Sequence, residues 1–75
     1  MKHKYNIGDI LKIKLHKEIK HIVIINQQVI IGSSAYEYIV QGIENKTYWD
    51  TERDLEARIL RAVVEMLEEQ VKEIE

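Results

Sequence analysis

From Thr51 to Glu75 apolar residues recur at helical spacing without a break, and there are more of them than one docking face uses. At 100° per residue, with Leu55 at zero, Leu55, Ile59, Ala62, Val63 and Met66 fall within roughly −20° to +80°. Leu60, Val64, Leu67, Val71 and Ile74 fall within roughly 100° to 180°. The apolar stripe is therefore about 200° wide, twice the ~100° that a surface helix needs to cover a core. One half can dock on the chain's own β-unit, and the other half asks for a further partner. With Ala57, Val64 and Val71 as a positions, Leu60, Leu67 and Ile74 fall at d, and a β-branched a with Leu at d favours parallel two-stranded packing. The run is too short for a long coiled coil. The expected interface of a homo-oligomer, most simply a dimer, is thus Ala57, Leu60, Val64, Leu67, Val71 and Ile74. The competing reading is a helix that buries both halves on its own β-unit.

Upstream the period changes to two. Leu11, Ile13 and Leu15 alternate with Lys12, Lys14 and His16, the pattern of a half-buried strand. Gly8-Asp9 opens it, the Gly permitting a turn and the Asp carboxylate capping nearby amides. Lys17-Glu18 is read as a tight turn, Ile19–Asn26 as a second strand, Asn26–Gln28 as a turn and Val29–Ile31 as a third strand. Gly32–Ser34 is the next turn and Ala35–Gln41 the fourth strand. A hairpin at Glu44–Lys46, with Asn45 tolerant of positive φ, leads to a short fifth strand at Thr47–Trp49. Asp50 or Thr51 is the expected N-cap, with Glu52, Asp54 and Glu56 crowding the first turns where the helix dipole favours negative charge. A 25-residue helix is about 37 Å long, so from about Met66 onward it should overhang a β-unit with a radius of gyration near 11 Å.

The residues from Gly8-Asp9-Ile10-Leu11-Lys12-Ile13 to Tyr48-Trp49-Asp50-Thr51-Glu52-Arg53-Asp54-Leu55 resemble the small SH3-like β-barrels of Gram-positive bacteria and their phages. In those proteins an opening strand of this kind is paired with a closing tyrosine-tryptophan segment. The resemblance covers residues 8–55 and implies a five-stranded barrel with a ligand surface and no activity of its own. The long C-terminal helix is a departure from that pattern. The expected fold is therefore mainly β with one long helix (α+β). Residues 1–50 form an SH3-like five-stranded barrel, and residues 51–75 an amphipathic helix of the same domain.

Composition narrows the function. Seventy-five residues without Cys exclude disulfides and thiolate zinc sites, and leave association as the expected stabiliser of a small core. The absence of Cys and of an apolar leader or a bilayer-spanning run predicts a cytoplasmic protein with no membrane partner. Thirteen isoleucines with no Pro and no Phe suggest an AT-rich coding sequence, as in low-GC bacteria and their phages. The net charge of −2 is split between a basic N-terminal third and an acidic helix, which could complement each other within or between chains.

Tyr36, Tyr38, Tyr48 and Trp49, with Lys12 and Lys14, are the expected ligand-facing residues, a stacking-plus-charge surface for a nucleotide or a single strand. The competing reading has the rings filling a core without Phe and the lysines guarding an edge strand. His3, His16 and His21 lack a matched third ligand, so no metal site or cofactor is expected. The helix carboxylates lie on an exposed face, and no phosphate loop, nucleophile elbow or metalloprotease motif occurs. The expectation is a non-enzymatic, homo-oligomeric interaction module that inhibits a host protein or sequesters a small ligand such as a nucleotide signal. A nucleic-acid-binding barrel is the alternative, disfavoured by the overall negative charge.

Overall fold

The computed structural model describes residues 3–74, with side chains through Lys72. It is a small α+β protein in which four antiparallel strands, β1 (Ile10–Leu15), β2 (Glu18–Ile30), β3 (Ser33–Val40) and β4 (Tyr48–Thr51), form one open sheet in the order β1-β2-β3-β4. A single helix, α1 (Glu52–Ile74), follows directly from β4. The expected five-stranded closed barrel is replaced by this open meander under a helix. β1 and β4 lie at opposite edges, and α1 packs against β1, β3 and β4, taking the inner face that barrel closure would otherwise bury.

The missing turn accounts for the missing strand. Asn26–Gln28, expected to reverse the chain, instead continues β2 through a bulge between Ile24 and Asn26. Asn26 Oδ1 accepts a hydrogen bond from the Gln27 amide at 2.9 Å, so the polar side chain serves the bulge. After the bulge Gln27 lies opposite Tyr36, the alternation resumes, and β2 reaches 13 residues. The hairpin turns sit one residue or more N-terminal to their expected places. His16-Lys17 joins β1 to β2, with His16 at φ 57°, and Ile31-Gly32 joins β2 to β3, with φ of 27° and 76°. Positive φ at a β-branched residue such as Ile31 is costly. Asn45 adopts φ 59° before β4, as its side chain predicts.

Strand registry divides the sheet into two faces. Leu11 and Ile22, and Ile22 and Val40, are opposed across neighbouring strands, as are Ile24 and Tyr38. Ile13, Ile22, Ile24, Tyr36, Tyr38 and Val40 are buried on this inner face, and Leu55 of α1 completes the cluster. Tyr5, Leu11, Leu15, Ile43, Tyr48 and Ile59 pack around its margin. The alternation read for β1 is observed, and the split of Ala35–Gln41 into a tyrosine side and a Glu37/Ile39 side holds as well. Asp9 Oδ2 accepts from the Asn6 amide at 2.9 Å, the local cap expected at Gly8-Asp9. Thr51 Oγ1 accepts from the Asp54 amide at 3.3 Å and so caps α1.

Leu55 is the helix residue set deepest in this small core. Leu55→Ala is expected to cost about 2–5 kcal/mol, read as a lower urea midpoint at unchanged slope. A loss within about 0.5 kcal/mol would place it with surface positions and contradict the packing described.

Candidate interaction surface

The rotation of α1 decides which of its side chains reach solvent, and polar contacts on both flanks set it. On one flank the Tyr36 hydroxyl donates to Glu52 Oε1 at 2.9 Å and accepts from the Lys4 amide at 3.0 Å, while Lys4 Nζ pairs with Glu56. On the other, Asp50 Oδ2 accepts from the Tyr38 hydroxyl at 2.8 Å and from Arg58 Nε at 3.0 Å, and Lys14 pairs with Glu65. Between these flanks Leu55 and Ala62 are buried, and Ile59 and Met66 partly so.

Turned away from the sheet, Leu60, Val64, Leu67 and Val71 each keep 52–56% of their surface exposed, with Ala57 exposed beside them. Val64, Leu67 and Val71 line one shallow groove with Glu68 and Lys72 at its rim. Val63, which the helical wheel puts on the docked half, is 40% exposed and lies at the margin of the contact. The side chain of Ile74, the sixth expected interface residue, lies outside the described residues. No residue from Leu67 to Lys72 is even partly buried, so the distal turns overhang the sheet as expected. The described surface is large for the chain. Its accessible area is 5727 Å², against about 4,800 Å² for a compact monomer of this mass. The radius of gyration is 13.7 Å, against about 11 Å.

The expected stacking surface is not assembled in one place. Tyr36 and Tyr38 are fully buried on the inner face. Tyr48 stacks on Tyr38 with ring centres 5.8 Å apart, and Lys46 Nζ lies 5.0 Å from the Tyr48 ring centre. Trp49 is exposed on the outer face, opposite Glu37 in the registry. Lys12 is exposed on the same face but at the other edge, three strands across and displaced along the strands as well, so more than about 14 Å away. Lys14 is engaged by Glu65. A groove of about 800 Å³ between the β1–β2 turn and α1 gathers Lys14, His16, Arg58, Arg61, Glu65 and Glu68 among others, a mixed set whose Lys14 and Arg58 already have carboxylate partners.

Sequence reasoning missed a second apolar surface. Ile10, Val23 and Ile39 are consecutive partners across β1, β2 and β3, and form an outer-face row with His21 and Gln41 beside it. The run Ile22–Ile25, apolar on both faces, was the available signal. His21 Nδ1 lies 3.1 Å from Gln41 Oε1, and among the described residues no three potential ligands cluster as a metal site. Among the described residues no helix is long and apolar enough to cross a membrane.

Comparison with family models, with curated proteins and with solved structures finds no match for this chain.

The two buried phenols carry a pH signature. Burial, then the hydrogen bond to the Asp50 carboxylate, pushes the Tyr38 hydroxyl well above the usual phenol range, and burial also raises Tyr36. A raised folded-state value adds stability that is whole below the unfolded value of 10.0 and is lost as pH climbs above it. Stability should thus decline above pH 10, and Tyr38→Phe should flatten that decline, measured by urea unfolding from pH 8 to 11. An unchanged slope in Tyr38→Phe would mean that Tyr38 ionises freely in the folded chain.

Proposed function

We propose that this protein is a non-enzymatic interaction module that self-associates through α1 and offers the outer face of its sheet to a protein partner. The observation that carries the reading is the Leu60/Val64/Leu67/Val71 stripe. Four large aliphatic side chains stand half-exposed in a row, on a helix whose other face is already docked. Burying each fully would contribute very roughly 1.5–3 kcal/mol, and a contiguous stripe approaches the few-hundred-Å² patch that soluble monomers seldom leave bare. A 75-residue chain without disulfides has only a small core of its own to rely on. The β-branched a and Leu d pattern favours a parallel pair of helices, and hence a twofold dimer.

The outer face supports the second half of the reading. Ile10, Val23, Ile39 and Trp49 are side chains of the kind a protein interface buries, and Trp is an enriched anchor at such interfaces. A protein partner suits this face better than a nucleotide or a single strand. Three of the four candidate stacking rings are on the other side of the sheet, and the two candidate lysines are not beside the fourth. An inhibitory or sequestering role needs only such binding, in keeping with the resemblance of residues 8–55 to SH3-like binding modules.

Sedimentation at tens of micromolar tests the reading. The wild type is expected to exceed the mass of one chain, and Leu67→Asp to reduce that mass while the far-ultraviolet spectrum is kept, because the aspartate would bury two charges across the seam. A wild-type monomer at that concentration, or a mass unmoved by Leu67→Asp, would rule the helix contact out.

A further inference from the structure

Past Ile24 β2 has no neighbour on the β1 side. β1 pairs with β2 only as far as Ile10 opposite Val23, with Asp9 and Gly8 bonding the Ile24 backbone, and β4 pairs with β3 only from Ala35 onward. Asn26–Gln28 pair with Glu37–Ala35, which β4 still flanks, and only Val29–Ile30 and Ser33–Ser34, joined by the Ile31-Gly32 turn, have no neighbour but each other. Among the described residues no backbone hydrogen bond reaches the outer edge of Ile25–Ile30. Apart from the Gln27 N–H, which donates to Asn26 Oδ1, such an edge presents unpaired N–H and C=O groups to any strand that comes alongside.

The other edges of the sheet are guarded. β1 carries Lys12 and Lys14 and has α1 packed along it, and β4 is only four residues long. Apart from the bulge between Ile24 and Asn26, the ribbon has no such device. The fifteen residues Ile22–Tyr36 contain no Asp, Glu, Lys, Arg, His or Pro. Ile25, Val29 and Ile30 are exposed, and Ile31 is wholly exposed at φ 27°. Asn or Gly would make that turn without strain.

The chemistry of the edge names the occupant. Around Gln27 the chain reads alike in both directions, with Ile25-Asn26 before it and Gln28-Val29 after it. An antiparallel pairing across a twofold axis at Gln27 sets Ile25 opposite Val29 of the second copy and Asn26 opposite its Gln28. The side-chain amides then form a short ladder of the kind that stabilises stacked strands. Such a surface is self-complementary, as an isologous contact requires. We infer that the β2–β3 ribbon pairs edge to edge with the same ribbon of a second copy over Ile25–Val29, in a homotypic contact separate from the α1 stripe.

The test uses the full-length Leu67→Asp chain, in which the helix contact is disabled and the ribbon is left. At several hundred micromolar it is expected to sediment as a dimer, and the backbone amides of Gln27–Val29 to exchange with deuterium more slowly as concentration rises. Adding Val29→Lys, at an exposed position, sets a lysine against Ile25 of the second copy twice per dimer, and should weaken the dimer at least tenfold and abolish the concentration dependence of exchange. If Val29→Lys lowers the melting temperature, the exchange of the Leu67→Asp chain alone still decides. A monomer throughout, with concentration-independent exchange over Ile25–Val29, overturns the inference, whether the ribbon then stays bare or serves a different protein. That result would leave the α1 contact standing, because its own test compares the wild type with Leu67→Asp.

Discussion

Leu55 enters the inner face of the sheet beside Ile13, Ile22, Ile24, Tyr36, Tyr38 and Val40, and this one docking governs what the rest of the molecule presents. A single helix covers a single face. Once α1 occupies the inner side, the sheet need not curl onto itself to bury its core, so β1 and β4 remain at opposite edges. The outer row Ile10–Val23–Ile39 is then left uncovered, and the β2–β3 ribbon runs beyond the part of the sheet that its neighbours support. The helix is longer than the face it covers, and its last described turns reach solvent with Leu67 and Val71 still apolar. Exposure at these three places is a consequence of a two-layer fold with one element in the second layer.

What holds the helix in that rotation is polar. A core without Phe uses tyrosine as its large aromatic, and each buried tyrosine brings a hydroxyl that must find a partner. Tyr36 and Tyr38 send theirs to Glu52 and Asp50, at the start of α1 and in the strand that feeds it. A hydrogen bond to a charged group contributes about 1.5–3 kcal/mol, and an unsatisfied buried hydroxyl costs about as much, so rotating α1 would forfeit the bond and incur the penalty together. Arg58, shared with Tyr38 on Asp50, and Glu56, paired with Lys4, make any slip of the helix register costlier still. The apolar stripe is therefore held outward by contacts on the opposite face, and cannot turn in to bury itself.

Where local chemistry decides, the fold was legible in the residues. The alternation of β1, the positive φ at Asn45, the Asp9 cap, the Thr51 cap and the two halves of α1 were each readable from spacing and side-chain type. Asn26–Gln28 misled because three amide residues between apolar runs resemble a turn. In the folded chain Gln27 faces Tyr36 and the Asn26 side chain bonds the backbone, so they serve a bulge, a choice made by the length of β3 opposite. The stacking surface misled for a related reason. Tyr36 and Tyr38 lie two apart and share a face, but which face is set by the register with β2 and the arrival of α1, neither of which is encoded locally. The burial of Leu55 and Ala62 and the exposure of Leu60, Val64, Leu67 and Val71 were easier to read, because all of them lie on one element with one period.

The two proposed contacts between copies differ in what they demand of the rest of the molecule. A stripe of four aliphatic side chains falls short of the ~800 Å² per partner of an ordinary stable interface, so the α1 contact by itself would be modest and concentration-dependent. Backbone pairing along a five-residue edge is also modest alone. Each is isologous, and a chain with two different isologous contacts would close as a dihedral assembly where the two twofold axes intersect at a suitable angle, a tetramer when they meet at right angles, and otherwise continue as an open filament. The relative direction of α1 and the β2–β3 ribbon would decide between them, and the Tyr36–Glu52 and Tyr38–Asp50–Arg58 contacts fix how α1 lies on the sheet. Loosening the hold on α1 would turn the helix while leaving both proposed surfaces in place, so the form of such an assembly, more than its affinity, would rest on those buried hydroxyls.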